Sequence, residues 1–144
     1  MKVVLDTNVL VSAFLFGGRP LDLLDLANVG IVQVHTSEKA LAELQKVLSR
    51  DKFRGRLRSL GLTAAKIVAL YRDLATVVEV SYPANICPDS GDDEFISIAI
   101  SGRVDVIVTG DRDLLSCSGN SPIPIITVAE SLLAIKDLLV DGSH

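Results

Sequence analysis

Two short aliphatic runs that each halt at an aspartate constrain this chain more than any other feature. Met1-Lys2-Val3-Val4-Leu5 is unbroken up to Asp6-Thr7-Asn8, and apolar residues resume at Val9 and Leu10. Far downstream, Val104-Asp105-Val106-Ile107-Val108-Thr109-Gly110-Asp111 repeats the arrangement. Short runs of Val, Ile and Leu without polar alternation are the mark of strands buried on both faces, as in a parallel sheet covered by helices. Ligands of such sheets bind beyond the carboxyl ends of the strands, so Asp6 and Asp111 stand where a site would be.

The intervening sequence alternates helical and strand patterns, which predicts right-handed crossovers and a parallel sheet covered on both faces. Helices are expected over 9–16, ended by Gly17-Gly18, and over 20–27, opened by Pro20. A strand at 31–34 follows. Thr36 or Ser37 can then cap a helix that carries Ala40, Leu41, Leu44, Val47 and Leu48 at helical spacing and ends near Arg50. The basic stretch 50–58 reads as a short exposed helix broken by Gly61, and Thr63 caps another through Ile67, Leu70, Tyr71 and Leu74. The remainder reads as strand 76–80, a loop marked by Pro83 and Pro88, helix 91–101, strands 105–108 and 123–127, and helix 129–139. No linker, repeat or low-complexity segment divides residues 1–144, so a single domain is expected.

Apolar residues make up 49% of the 144 and aromatics only 4%, so the core must be aliphatic. Cys87 and Cys117 have no metal-type spacing, and a disulfide framework would use more cysteines in a shorter chain. A reducing cytoplasm is the simplest home. Asp6 and Asn8 interrupt the apolar start, which argues against a signal peptide, and no run approaches the roughly 20 residues of a membrane span.

The net charge of −4 argues against binding nucleic acid by bulk electrostatics. Its distribution points the other way. Between 39 and 58 there are seven basic residues against Glu43 and Asp51, a local +5; between 89 and 113 seven acids face Arg103 and Arg112, a local −5. An acidic cluster beside a basic arm fits a metal enzyme acting on a polyanion, although either could be a solvated face.

Chain lengths bring the acids together. A helix of about eleven residues at ~1.5 Å each descends ~16 Å, and a strand of about five residues at ~3.3 Å climbs the same distance back. Asp92 and Asp93 therefore share the rim occupied by Asp111 and Asp6, and Glu43 lies at the border of its helix's buried face. Each has a plainer reading. Asp6 can cap a helix, Asp111 can be a turn residue, Ser90 and Asp93 can form a capping box, and Glu43 can pair with Lys39 or Lys46. Together, four or five acids on one rim repel unless protonated or neutralised by a cation. Oxygen-only donors point to Mg²⁺ or Mn²⁺. His35, at the end of the second strand, and His144, in the tail, are weaker candidates.

Val4-Leu5-Asp6-Thr7-Asn8-Val9-Leu10, Glu43-Leu44 with Val47-Leu48, Asp92-Asp93-Glu94-Phe95-Ile96 and Ile107-Val108-Thr109-Gly110-Asp111-Arg112-Asp113-Leu114-Leu115 together resemble the PIN domain family. That family comprises metal-dependent ribonucleases, and the resemblance is nearest to the branch of toxins from type II toxin–antitoxin pairs. It implies a three-layer α/β/α sandwich around a parallel sheet of four or five strands, with an acidic metal site at its carboxyl edge. It further implies an endoribonuclease in which Asp6, Asp111 and one of Asp92 or Asp93 hold Mg²⁺ or Mn²⁺ and Glu43 supports a second ion or a water. The branch usually has a proline and one residue before its paired aspartates, whereas here Ser90-Gly91 intervene after Pro88-Asp89.

Asn8 and Thr109 are candidates to position water or phosphate. RNA phosphates would fall to Arg50, Lys52, Arg54, Arg56 and Arg58. An antitoxin is a possible partner, and the apolar 129–140 helix predicts a homodimer or higher homo-oligomer. Alternatives are a catalytically weak fold of this family that binds RNA or protein, and a phosphatase of another α/β class. The latter needs a second aspartate two residues after the first, where this chain has Asn8. A receiver domain needs an aspartate ending its third strand, and 76–80 has none.

Overall fold

A computed structural model describes residues 1–81, 83–87 and 90–141, with the side chain of Ser90 excepted. Five parallel strands are ordered β3-β2-β1-β4-β5: β1 (Lys2–Leu5), β2 (Gln33–Thr36), β3 (Thr76–Val77), β4 (Val106–Val108) and β5 (Ile125–Ile126). Val4 registers with His35 on one side and with Ile107 on the other. The chain builds outward from β1 through β2 to β3 and then restarts on the opposite side at β4. The gap between β1 and β4 is thus the switch point at which an open parallel sheet leaves a crevice. Asp6 and Asp111 end the two segments that flank it.

Successive strand residues point to opposite faces, and β1 buries both. Val3 and Leu5 join the larger core formed with α1 (Thr7–Phe16), α2 (Gly18–Asn28), α3 (Glu38–Leu48), α5 (Ala64–Leu74) and α8 (Val128–Asp141). Val4 joins the smaller core beneath α6 (Ser90–Gly102) and α7 (Arg112–Leu115), with Ile96, Ile98, Ala99, Ile107 and Leu114. The expected three-layer sandwich is therefore present. α4 (Arg54–Leu60) follows a 3₁₀ turn at Asp51–Phe53.

Local chemistry explains most element ends. Ser37 and Thr63 each accept an amide hydrogen bond as helix N-caps, from Ala40 and Lys66. Gly61 ends α4 at φ +67°, a conformation that favours glycine. The expected strand at 76–80 is only Thr76–Val77; it lies at the sheet edge, where one neighbour alone holds it. The strand expected at 123–127 shortens to Ile125–Ile126, and α7 lies in a stretch for which no element was expected. Asp105, counted in the acidic stretch 89–113, sits at the opposite end of the sheet from Asp111, accepting the Lys2 amide at 2.8 Å, and takes no part in the acidic rim.

Tyr71 is fully buried in the larger core, edge-on to Phe14 with ring centroids 6.3 Å apart. Its hydroxyl has no hydrogen-bond partner among the described residues, and burial raises its pKa. An unpartnered buried hydroxyl costs roughly 1–3 kcal/mol. Tyr71→Phe should therefore keep the fold and raise thermal stability by about 1 kcal/mol, measurable by calorimetry; a loss of that size would mean that the hydroxyl has a partner in solution.

A candidate acidic metal centre at the switch point

The site starts from the sheet. The Asp6 amide donates to the Val108 carbonyl at 3.1 Å, carrying the β1–β4 ladder to the rim. Asp6 then caps α1, its Oδ1 accepting the Val9 amide at 2.8 Å. Its second oxygen accepts the hydroxyl of Thr109, and that same hydroxyl accepts the Asp111 amide at 2.9 Å. One fully buried threonine therefore joins the two strand-end aspartates. Asp111 caps α7 through the Asp113 amide at 2.9 Å. Capping and clustering are not rival roles here, because both aspartates do both.

Glu43 reaches the same place from α3, accepting the Thr7 hydroxyl at 3.3 Å. The ion pairs among the described residues are Arg54–Asp51 and Arg72–Glu38, so Glu43 is paired with neither Lys39 nor Lys46. A recess of about 190 Å³ is walled by Asp6, Glu43, Asp92 and Asp111, with Thr7, Asn8, Val47, Arg50 and Phe95 completing it.

The paired aspartates of α6 part company. Asp92 lines the recess. Asp93 is 7% exposed and turns to the preceding segment, accepting the amides of Ile86 at 2.9 Å and Cys87 at 2.7 Å. Neighbours on a helix point in different directions, and two backbone donors hold Asp93 away from the recess. The capping box weighed as the plainer reading of Ser90 and Asp93 turns on the Ser90 side chain, which lies outside the described residues; Pro88, Asp89 and His144 lie outside them too. Glu94 accepts the Ser37 hydroxyl at 2.7 Å, fastening α6 to the start of α3.

Burial pushes the Asp6 pKa up to about 6; the hydrogen bonds from Thr109 and Val9 work against this, and the charges of Asp111 and Glu43 add to it. A desolvated carboxylate beside two others is destabilised as an anion, and a cation among them relieves the strain. The donors fit a hard divalent ion, being carboxylate oxygens without His or Cys. Among the described residues no three acids already converge on one point as a ready ligand set; they stand around the wall. His35 is not part of it. It is buried with Nδ1 3.1 Å from the Gln33 carbonyl, and burial lowers its pKa.

The basic arm is less uniform than its charge. The Arg56 Nε donates to the Leu15 carbonyl at 2.6 Å and its guanidinium lies 5.7 Å from the Phe16 ring centre, so Arg56 anchors α4 to α1. Lys52 lies 5.0 Å from the Phe53 ring centre. Arg50, Arg54 and Arg58 edge a groove of about 410 Å³ lined also by Leu48, Leu57 and Leu62. Arg50 belongs to both groove and recess. Nothing in the sequence singled it out from its neighbours.

Comparison with known proteins bears on the family and the fold. Residues 2–113 match the family model described as PIN domain. An uncharacterised protein of Methanocaldococcus jannaschii, MJ1680, is 32% identical over 117 residues, spanning 81% of this chain and 74% of the relative. Among solved structures, PAE2754 from Pyrobaculum aerophilum superposes with a TM-score of 0.63 at 15% identity, covering 95% of this chain and 96% of the other. VapBC2 from Rickettsia felis, bound to a DNA fragment from its promoter, gives 0.57 at 18% identity over 88% and 98%. FitAcB from Neisseria gonorrhoeae gives 0.52 at 17% identity over 88% and 98%. At such identities these structures speak for the fold; the family model and the archaeal relative speak for descent. This chain belongs to the PIN domain family.

Proposed function

We propose that the protein is a metal-dependent endoribonuclease acting as the toxin of a toxin–antitoxin pair. The observation that carries this reading is the recess at the switch point, where four carboxylates from four separate segments line one cavity beside a groove edged by arginines. PIN domains are generally nucleases. Neighbours solved as VapBC2 and FitAcB support a protein partner for this chain as well.

Asp6, Asp92 and Asp111 would hold Mg²⁺ or Mn²⁺, with Glu43 holding a second ion or orienting a water. The ion would supply an activated water and positive charge at the scissile phosphate. The chain's own groups do the rest. Thr109 fixes the relative position of Asp6 and Asp111, and Asp93 fixes the start of α6 so that Asp92 faces the recess. Asn8, exposed at the lip, is placed to meet water or phosphate, whereas the Thr109 hydroxyl is already spent on the two aspartates. Arg50, Arg54 and Arg58, with Lys52, would hold phosphates flanking the scissile bond.

Cleavage of single-stranded RNA should require Mg²⁺ or Mn²⁺ and stop with excess EDTA, recovering when the ion is restored. Full cleavage in EDTA would exclude the metal mechanism. RNA binding without cleavage under any divalent ion would leave the recess a binding site only.

We further expect self-association. α8 buries Ile135 but leaves Leu133 62%, Leu138 53%, Leu139 50% and Val140 60% exposed, apolar surface that its own sheet does not cover. Light scattering at micromolar concentration should give a dimer or larger species, with the Leu133→Asp/Leu139→Asp variant a folded monomer. A monomeric wild-type protein would contradict this.

A further inference from the structure

Cys87 and Cys117 form a disulfide with Cα atoms 5.7 Å apart, within the usual range. Both are buried in the smaller core. The position of the bond in the chain gives it consequence. It spans 30 residues, and that loop holds α6, β4 and α7, and so carries Asp92, Asp93 and Asp111 but neither Asp6 nor Glu43. One cysteine lies just before α6; the other lies two residues beyond the end of α7, whose cap is Asp111. The bond therefore joins the start of α6, where Asp92 and Asp93 lie, to the segment just past the end of α7.

The segment preceding α6 packs Ala84 and Ile86 on the smaller core, but from 83 to 87 it forms neither strand nor helix. Its amides at Ala84, Ile86 and Cys87 go to side chains of α6, at Ser97 and Asp93. The Cys87 amide and the Cys87 sulfur thus serve one purpose: the first seats Asp93, and the second ties that seat to the segment following Asp111. We propose that Cys87–Cys117 is a redox site through which a dithiol reductant loosens the acidic recess. Thiol–disulfide exchange passes two electrons and two protons from the dithiol to the protein, leaving two cysteine thiols and the reductant as its own disulfide. With the cross-link open, 84–87 stays on α6 through the hydrogen bonds to Ser97 and Asp93 and the packing of Ala84 and Ile86 on the smaller core, and the spacing between the Asp92 and Asp111 segments loses its covalent restraint.

The test compares oxidised protein, protein reduced with dithiothreitol, and the same sample reoxidised with oxidised glutathione, each state verified by thiol counting. Hydrogen exchange at residues 84–87, 90–93 and 111–117 should quicken roughly tenfold or more on reduction, because local opening no longer works against the cross-link. It should stay unchanged in β1 and α3, and return on reoxidation. The Cys87→Ala/Cys117→Ala variant should match the reduced state. Mn²⁺ affinity, measured after removal of the reductant with the thiols kept reduced under nitrogen, should weaken in parallel. That second readout rests on the recess being a divalent-ion site, whereas the exchange readout does not. Exchange unchanged after confirmed reduction would overturn the proposal, as would two free thiols in protein purified without reductant. Exchange that quickens while neither state binds Mn²⁺ would uphold the redox coupling and refute the metal reading.

Discussion

Asp6→Asn should abolish cleavage, by two or more orders of magnitude, while making the metal-free protein more stable at pH 8. Removing a charged ligand removes attraction for the ion and the placement of the water. The fold responds in the opposite sense. The pKa of Asp6 is about 6 in the folded protein and 3.8 as a free side chain, with burial the main cause, so the native state holds this proton more tightly than the unfolded chain. Its stabilising contribution is complete below pH 3.8, shrinks as pH rises between 3.8 and 6, and is lost above 6. At pH 8 the ionised carboxylate is therefore a net cost of roughly 3 kcal/mol before losses elsewhere. Asparagine caps a helix about as well. It must, however, reverse the hydrogen bond from Thr109, so a gain of about 1–3 kcal/mol is expected. The gain should fade by pH 4, and Mn²⁺ should stabilise the wild type alone. A variant that unfolds at pH 8 would mean that the carboxylate's capping outweighs its burial.

Neutralising Arg50, Arg54 and Arg58 to Gln should flatten the salt dependence of RNA binding. Each lost phosphate contact lowers the slope by about 0.7 for a single strand, so three lower it by about 2. Between 50 and 200 mM salt the wild type should then lose roughly 15–20-fold more affinity than the variant. Binding is best measured in Ca²⁺, where we expect association without turnover. The effect should be similar for unrelated sequences, since phosphate contacts carry no sequence information. Arg56→Gln is the instructive control. It should cost stability through the Leu15 carbonyl and the Phe16 ring and change the slope little. An unchanged slope in the triple variant would move the RNA surface elsewhere, with Arg103 and Arg112 as the next candidates.

What could be read from the sequence follows a physical line. Val3, Val4, Ile107 and Val108 are buried on both faces, and such strands announce themselves by unbroken aliphatic runs; the aspartates at their ends follow directly. Thr63 was legible as a cap, and Ser37 as one of two candidates with Thr36, because the cap is a local hydrogen bond. Tertiary choices were not. Asp92 and Asp93 are adjacent and chemically alike, and only the amides of Ile86 and Cys87, seven and six residues back, decide which of them turns from the recess. Arg56 has the same charge as Arg54 and Arg58, and its different fate depends on α1 lying beneath it. α7 has four residues, too few to show a period. The cysteines, with two helices and a strand between them, left no pattern, so the sequence suggested unpaired thiols where the structure forms a bond. Among the described residues no helix is long and apolar enough to cross a membrane, in keeping with the absence of such a run in the sequence.

Calorimetric titration of Mn²⁺ into the oxidised wild type and Asp92→Asn at pH 7.5 tests the acidic recess most directly. Asp92 lines it from the first turn of α6, whereas Asp6 and Asp111 also serve as the N-caps of α1 and α7. We expect the wild type to bind Mn²⁺ and the variant to bind at least about tenfold more weakly, since one of few charged oxygen ligands is gone. Equal affinity in the two proteins, or no binding by the wild type, would contradict the assignment of this recess as the metal centre.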